Sequence, residues 1–272
     1  MTTEQQPTNR TTREVDLLWG LDRPAPRRGP RPKLSREAVV AAAVAVADTE
    51  GLEAVSMQRV AKELGYTTMS LYRHVDSKED MLVLMSDRAM DGTPPAPRPD
   101  RGWRAGVEEW VHEVMEVYRR HPWAIHLTVS GPPVGPNGLR WMEAGLREIV
   151  RSGLDVGGAL QMLSMLSSLL RDTLRLEADM ARAAGEAGST MAEAERDYSV
   201  GLRKVVTREE FPTIAMMLES AVLEEPPGRP DRLGGPAEGF GFSLHRVLDG
   251  IEVHVGRMRA EREAGGGGEP AV

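Results

Sequence analysis

Between its breaks this chain spaces apolar residues three and four apart, and no stretch alternates convincingly with a period of two. That pattern confines it to helices packed on helices. Val39, Ala42, Ala43 and Val46 follow one helix face, with Ser35 as expected N-cap and Gly51 as expected stop. Short helices are predicted after Ser56 (burying Val60, Ala61 and Leu64, ending at Gly65) and after Thr67 or Thr68 (burying Leu71 and Val75). Ser77 with Asp80 reads as a capping box opening a helix that carries Leu82, Met85 and Ala89.

Longer helices follow. One carries Trp110, Val114, Val117 and Tyr118; another runs from about Leu139 to Arg151. A third begins near Asp155 with two apolar stripes: Val156, Leu160, Leu163 and Leu170 on one, Ala159, Met162, Leu166 and Leu169 on the other. A helix apolar that far around is expected to be covered on more than one side. The last, from about Phe240 to Met258, has Leu244, Val247, Leu248, Ile251, Val255 and Met258 on one face. The fold class is therefore all-α.

Prolines punctuate the chain at Pro24 to Pro32, Pro94 to Pro99 and Pro226 to Pro236, and Gly265 to Gly268 opens a tail. The expected domains are a flexible basic arm over 1–32, a helix-turn-helix three-helix domain over 33–93, a helical ligand-binding and dimerisation domain over 100–262, and a disordered tail over 263–272. The segment Leu17-Leu18-Trp19 within the arm has no assigned role; disorder and docking on the body both fit it.

The 272 residues carry 34 basic and 41 acidic side chains, a net charge of −7. A basic coat over the whole molecule is excluded, but a local basic site is not. Residues 1–90 are balanced at 13 and 13, so the acidity lies in the remainder, 21 against 28. Cysteine is absent, which excludes disulfides, thiolate metal sites and cysteine nucleophiles. The longest apolar run, Ala38 to Ala47, is too short to span a bilayer, and the N-terminus lacks the apolar core of a secretory signal. A soluble, cytoplasmic protein is expected.

Ser56 to Val75, SMQRVAKELGYTTMSLYRHV, is the most informative segment. A helix-turn-helix needs a small residue at its helix crossing (Ala61), a turn residue tolerant of positive φ (Gly65) and apolar anchors (Val60, Leu64, Leu71, Val75). The second helix must expose short groups at its start, and Thr67, Thr68, Met69 and Ser70 fit. Tyr72, Arg73 and His74 can reach phosphates or flanking bases, and Lys78 adds a charge at the next helix start. Any pair of short helices with a glycine turn looks similar. The upstream run of Arg23, Arg27, Arg28, Arg31, Lys33 and Arg36, without an acidic residue, tips the reading toward double-stranded DNA.

LSREAVVAAAVAVADTEGLEAVSMQRVAKELGYTTMSLYRHVDSKEDMLVLMSDRAM resembles the DNA-binding domain of the tetracycline-repressor (TetR) family, and LYRHV followed by SKE is its most specific element. The resemblance implies that the helix holding Thr67 to His74 enters the major groove, with Thr67, Thr68, Met69, Tyr72, His74 and Lys78 matching DNA contacts. IHLTVSGPPVGPNGLRWMEAGLREIVRSGLDVGGALQML and FGFSLHRVLDGIEVHV resemble that family's tetracycline-repressor-type ligand-binding domain more weakly. This implies a homodimer built on the two long helices, through Val156, Leu160, Leu163, Leu170, Leu244, Leu248, Ile251 and Val255. It also places His126 where tetracycline-binding members hold magnesium, although a lone histidine is more often an ordinary structural residue.

Trp110, Met115, Trp123, His126, Trp141, Met162 and Met165 are candidate effector contacts, with Arg171 or Asp172 as further polar groups; ordinary core packing explains the aromatic and methionine residues equally well. No metal and no cofactor is expected, and no H-E-x-x-H, G-x-S-x-G or Walker pattern is present. GPPVGPNG (131–138) follows no strand and reads as a loop, and the charges from Glu177 to Arg208 read as a solvated helical face. The expected function is a DNA-binding regulator, a repressor that dimerises on a palindromic operator and is released by a small, mainly apolar effector. The rival readings are a helical small-molecule-binding protein or enzyme with a non-functional helix-turn-helix, and an adaptor working through the last helix.

Overall fold

The structure, a computed structural model, describes residues 10–22, 34–127, 131–220 and 236–265. Arg31 and Lys33, expected DNA contacts, lie outside the described residues. Among the described residues every regular element is helical. The chain divides into two compact units, Met1–Arg151 and Ser152–Val272.

The first unit is assembled by its caps. α1 (Arg10–Trp19) precedes α2 (Arg36–Glu50), where the Ser35 hydroxyl accepts the Ala38 N–H at 3.2 Å. α2 is alanine-rich, so its neighbours approach closely on Val39, Ala43, Val46 and Ala47, all buried. It stops at Gly51, whose φ of +86° suits glycine. α3 (Met57–Leu64) is capped by Ser56 and ends at left-handed Gly65, φ +72°. α4 (Thr68–Tyr72) and α5 (Lys78–Ala89) follow. Val39, Val55, Val60, Leu71, Val75, Met81 and Met85 are fully sealed in one core. Each such side chain contributes about 1.5–3 kcal/mol on burial.

Two expectations need correction here. The flexible arm over 1–32 contains α1, which docks on the body by burying Leu17 and by hydrogen bonds from Trp19 Nε1 to the Val134 carbonyl (2.9 Å) and from Arg36 Nη1 to the Leu17 carbonyl (2.9 Å). The Ser77–Asp80 capping box is half formed. Ser77 accepts the Asp80 N–H at 3.0 Å, but the Asp80 carboxylate turns to Arg13 of α1, accepting from Nη2 at 2.9 and 2.8 Å. A guanidinium is a stronger partner for a carboxylate than one backbone amide.

α6 (Trp103–Arg120), a 3₁₀ turn (Pro122–His126) and α7 (Pro136–Val150) complete this unit. Trp110 Nε1 donates to the Trp141 carbonyl and Trp141 Nε1 to the Met90 carbonyl, each at 2.8 Å. Buried Glu148 accepts from Arg147 Nε at 3.0 Å and from Arg151 Nη1. Gly106 makes room for it: a Cβ there would lie 2.3 Å from Glu148 Oε2.

In the second unit Asp155 caps α8 (Val156–Glu186), and a reciprocal Thr190–Glu193 capping box starts α9 (Met191–Arg203). α10 (Pro212–Glu219) and α11 (Pro236–Gly265) follow, and α11 packs on α8. Within the single chain α8 buries one stripe, and it matches neither expected set: Ala159, Leu163, Leu166, Leu170 and Leu174, at spacings of four, three, four and four. Leucines drawn from both expected stripes share it. No helix among the described residues is long and apolar enough to cross a membrane.

Candidate nucleic-acid interface and effector-domain residues

α3, the Gly65 turn and α4 form the helix-turn-helix. Ala61, 2% exposed, sits at the crossing, and left-handed Gly65 passes its N–H back to the Lys62 carbonyl at 3.2 Å. α4 is anchored by Leu71, with Val75 beyond its end; both are fully buried. Everything else on α4 is available at the surface to some degree. Thr67, Met69, Tyr72, Arg73 and Lys78 are exposed, Met69 most of all at 72%, while Thr68, Ser70 and His74 are half-buried.

Local bonds refine the expected roles. Thr67 is the N-cap of α4, accepting the Ser70 N–H at 3.3 Å, and its hydroxyl lies 2.9 Å from the Ser70 hydroxyl. The helix closes at Tyr72, so Arg73 and His74 belong to the turn after it, where the His74 N–H donates to the Leu71 carbonyl at 2.7 Å. The His74 carbonyl in turn accepts from Arg36 Nε at 3.2 Å. Sequence reasoning placed Arg36 in the basic run; the structure uses it to hold the end of α4, with Asp22 and the Leu17 carbonyl as its other partners. Tyr66, in the turn, is 38% exposed.

On α3 the guanidinium of Arg59 is tied to Glu50 and Glu63, and its hydrogen bond holds the Glu50 carboxyl below the usual carboxylate range. Arg73 and Lys78 are the exposed cations at the α4 end of the motif, with Asp76 and Glu79 also exposed beside them, next to a neutral hydroxyl-bearing start. That is the arrangement in which cations meet phosphates and short side chains meet base edges.

Residues 39–85 match the family model of bacterial regulatory proteins of the tetR family, and residues 96–255 match that of the tetracyclin repressor-like C-terminal domain. The chain belongs to the TetR family. It is 38% identical over 260 residues to the HTH-type transcriptional repressor DrrR1 of Streptomyces coeruleorubidus, covering 95% of this chain and 92% of that one. The tetracycline repressor protein class E of Escherichia coli is 28% identical over 137 residues, covering 50% of this chain and 64% of that one. Among solved structures, ActR of Streptomyces coelicolor in complex with actinorhodin shares 25% identity at a TM-score of 0.67, covering 83% of this chain and all of that one. This TetR-family chain is thus a helix-turn-helix transcriptional regulator, not an enzyme.

The expected effector contacts fall in different settings. In the first unit Trp110, Met115 and Trp141 are buried, and the two indoles are bonded into the α6–α7 packing. Trp123 lies in the core of the DNA-binding helices, its Nε1 donating to Asp48 Oδ1 at 2.6 Å beside His121 Nδ1, 2.8 Å from the same oxygen. His126 is exposed. In the second unit Met162 is half-buried, Met165 is 41% exposed and Asp172 is exposed; Arg171 Nε is buried without a hydrogen-bond partner. A cleft between α6, α7 and residues 95–101 touches Trp110, but its volume of about 10 Å³ admits one water. Its charged walls are mutually paired, Arg98 and Arg101 with Glu109 and Arg147 with Glu148. Among the described residues no group of three or more histidines and carboxylates could hold a metal ion.

The expected dimer residues divide as well. Leu163, Leu170, Leu244, Leu248, Ile251 and Val255 are buried within the single chain, whereas Val156 (69% exposed) and Leu160 (41%) are not.

Proposed function

We propose that the protein is a homodimeric repressor that binds a palindromic operator and is released by a small, mainly apolar effector. The observation that carries the DNA part is the division of α4: its anchors are sealed, while Thr67, Met69, Tyr72, Arg73 and Lys78 stand at the surface. Thr68, Ser70 and His74 complete the reading face. Two copies would set their recognition helices about 34–36 Å apart, one turn of the duplex. Selection of duplexes from a random pool, followed by gel shift at moderate salt, tests it. A pseudo-palindrome with such half-site spacing is expected; folded dimer that selects nothing refutes it.

The outward sides of α8 and α11 supply the dimer contact. Val156 and Leu160 on α8 and Phe242 and Val253 on α11 are apolar and exposed in the single chain. Grouped apolar exposure of this kind marks an association surface. Light scattering should give twice the chain mass. ActR's complex with actinorhodin supports an organic effector here too, and actinorhodin is the first compound to titrate against the protein–duplex complex. His126, Met162 and Met165 are the candidate contacts a ligand reaches without repacking a core.

A further inference from the structure

α7 begins with a cap that it does not supply itself. Its N-cap position is Gly135, which has no side chain, and Pro136 has no N–H to satisfy. The first free amides are those of Asn137 and Gly138, and both donate to one carboxylate in the last turn of α5. Asn137 N–H reaches Asp87 Oδ1 at 3.1 Å, and Gly138 N–H reaches the same oxygen at 2.9 Å. Asn137 Nδ2 donates to the Asp87 main-chain carbonyl at 3.1 Å. One turn along α7, Trp141 holds the Met90 carbonyl at the end of α5.

The GPPVGPNG stretch is shaped around this contact. A Cβ on Gly135 would lie 2.2 Å from Asp87 Oδ1, and one on Gly138 would lie 2.7 Å from Pro133 Cβ. The stretch is therefore a socket for the end of α5. α5 in turn carries Met81 and Met85 in the core beneath α3 and α4. A helix end held by several charge-assisted and backbone bonds moves with its partner, because separating them leaves amides and a carboxylate unpaired.

We propose that Asp87 is a positioning residue that couples the ligand-binding domain to the DNA-binding helices, passing displacement between the start of α7 and α5. The proposal rests on the regulator reading above. Coupling is reciprocal, so DNA itself serves as the probe and no effector is needed. The full-length protein is mixed with the duplex that the wild type selects from a random pool. Hydrogen exchange is followed in peptides from 57–78 and from 136–150.

In the wild type the duplex should slow both regions, 136–150 by at least threefold. Asp87→Ala should keep the slowing at 57–78 and lose it at 136–150; Asp87→Asn, which keeps an acceptor oxygen, should retain part. Equal slowing of 136–150 in the wild type and Asp87→Ala, or none in the wild type, overturns the coupling. If Asp87→Ala does not fold, Asn137→Ala replaces it: reduced transmission supports the proposal and unchanged transmission overturns it. A wild type that selects no duplex refutes the regulator reading and the coupling with it. A bound duplex with a silent α7 refutes the coupling alone.

Discussion

Arg36 Nε donates to the main-chain oxygen of His74 at 3.2 Å, tying the first residue of α2 to the turn that follows α4. The same guanidinium holds Asp22 and the Leu17 carbonyl, so one side chain fastens α1, α2 and the helix-turn-helix together. Arg36→Ala should cost about 1.5–3 kcal/mol, the range for hydrogen bonds to a charged group. Urea denaturation measures it, and operator affinity should fall in parallel. An unchanged midpoint would contradict this role.

Lys78 and Tyr72 separate two kinds of DNA contact. Lys78→Ala should weaken binding to every duplex alike and reduce the slope of log affinity against log salt by about one. Tyr72→Ala should weaken binding without moving the melting temperature, since the ring is 43% exposed. Gel shifts at several salt concentrations, beside thermal melts, check both.

Asp87 gives stability a pH dependence. Burial pushes its carboxyl above the usual range, against the opposing hydrogen bonds from the Gly138 and Asn137 amides. With a raised folded pKa, its contribution is fully present below the unfolded value near 3.8 and is lost as pH rises through the folded value. Asp87→Asn removes that loss. The variant's urea midpoint should therefore gain on the wild type between pH 4 and pH 7; a constant difference would refute the assignment.

Gly106 is required by its neighbour rather than by its backbone. Gly106→Ala pushes a Cβ into the Glu148 carboxylate, which Arg147 and Arg151 hold in place. A loss of about 1–3 kcal/mol is expected, and Glu148→Ala in the same chain should recover part of it. Thermal melts of the single and double variants decide the point.

The helices and caps were legible because they are local. Ser35, Ser56, Thr67, Ser77 and Asp155 each bond an amide three residues ahead, and Gly51 and Gly65 adopt positive φ where the periodicity stops. The exposed face of α4 followed from the same spacing. What escaped is long-range. Nothing near Asp87 in sequence signals a helix start 50 residues on, and Arg13 took Asp80 from 67 residues away. Likewise, the inward stripe of α8 is decided by α11, so period alone could not choose among Val156, Leu160 and Leu163.

Because Leu71 alone of the five residues of α4 is sealed, the molecule keeps its proposed reading face apart from what holds it up. The outward letters of that short helix can be rewritten while its single peg stays in place. New target sites are thus reachable by changing a handful of side chains, with the scaffold left as it is.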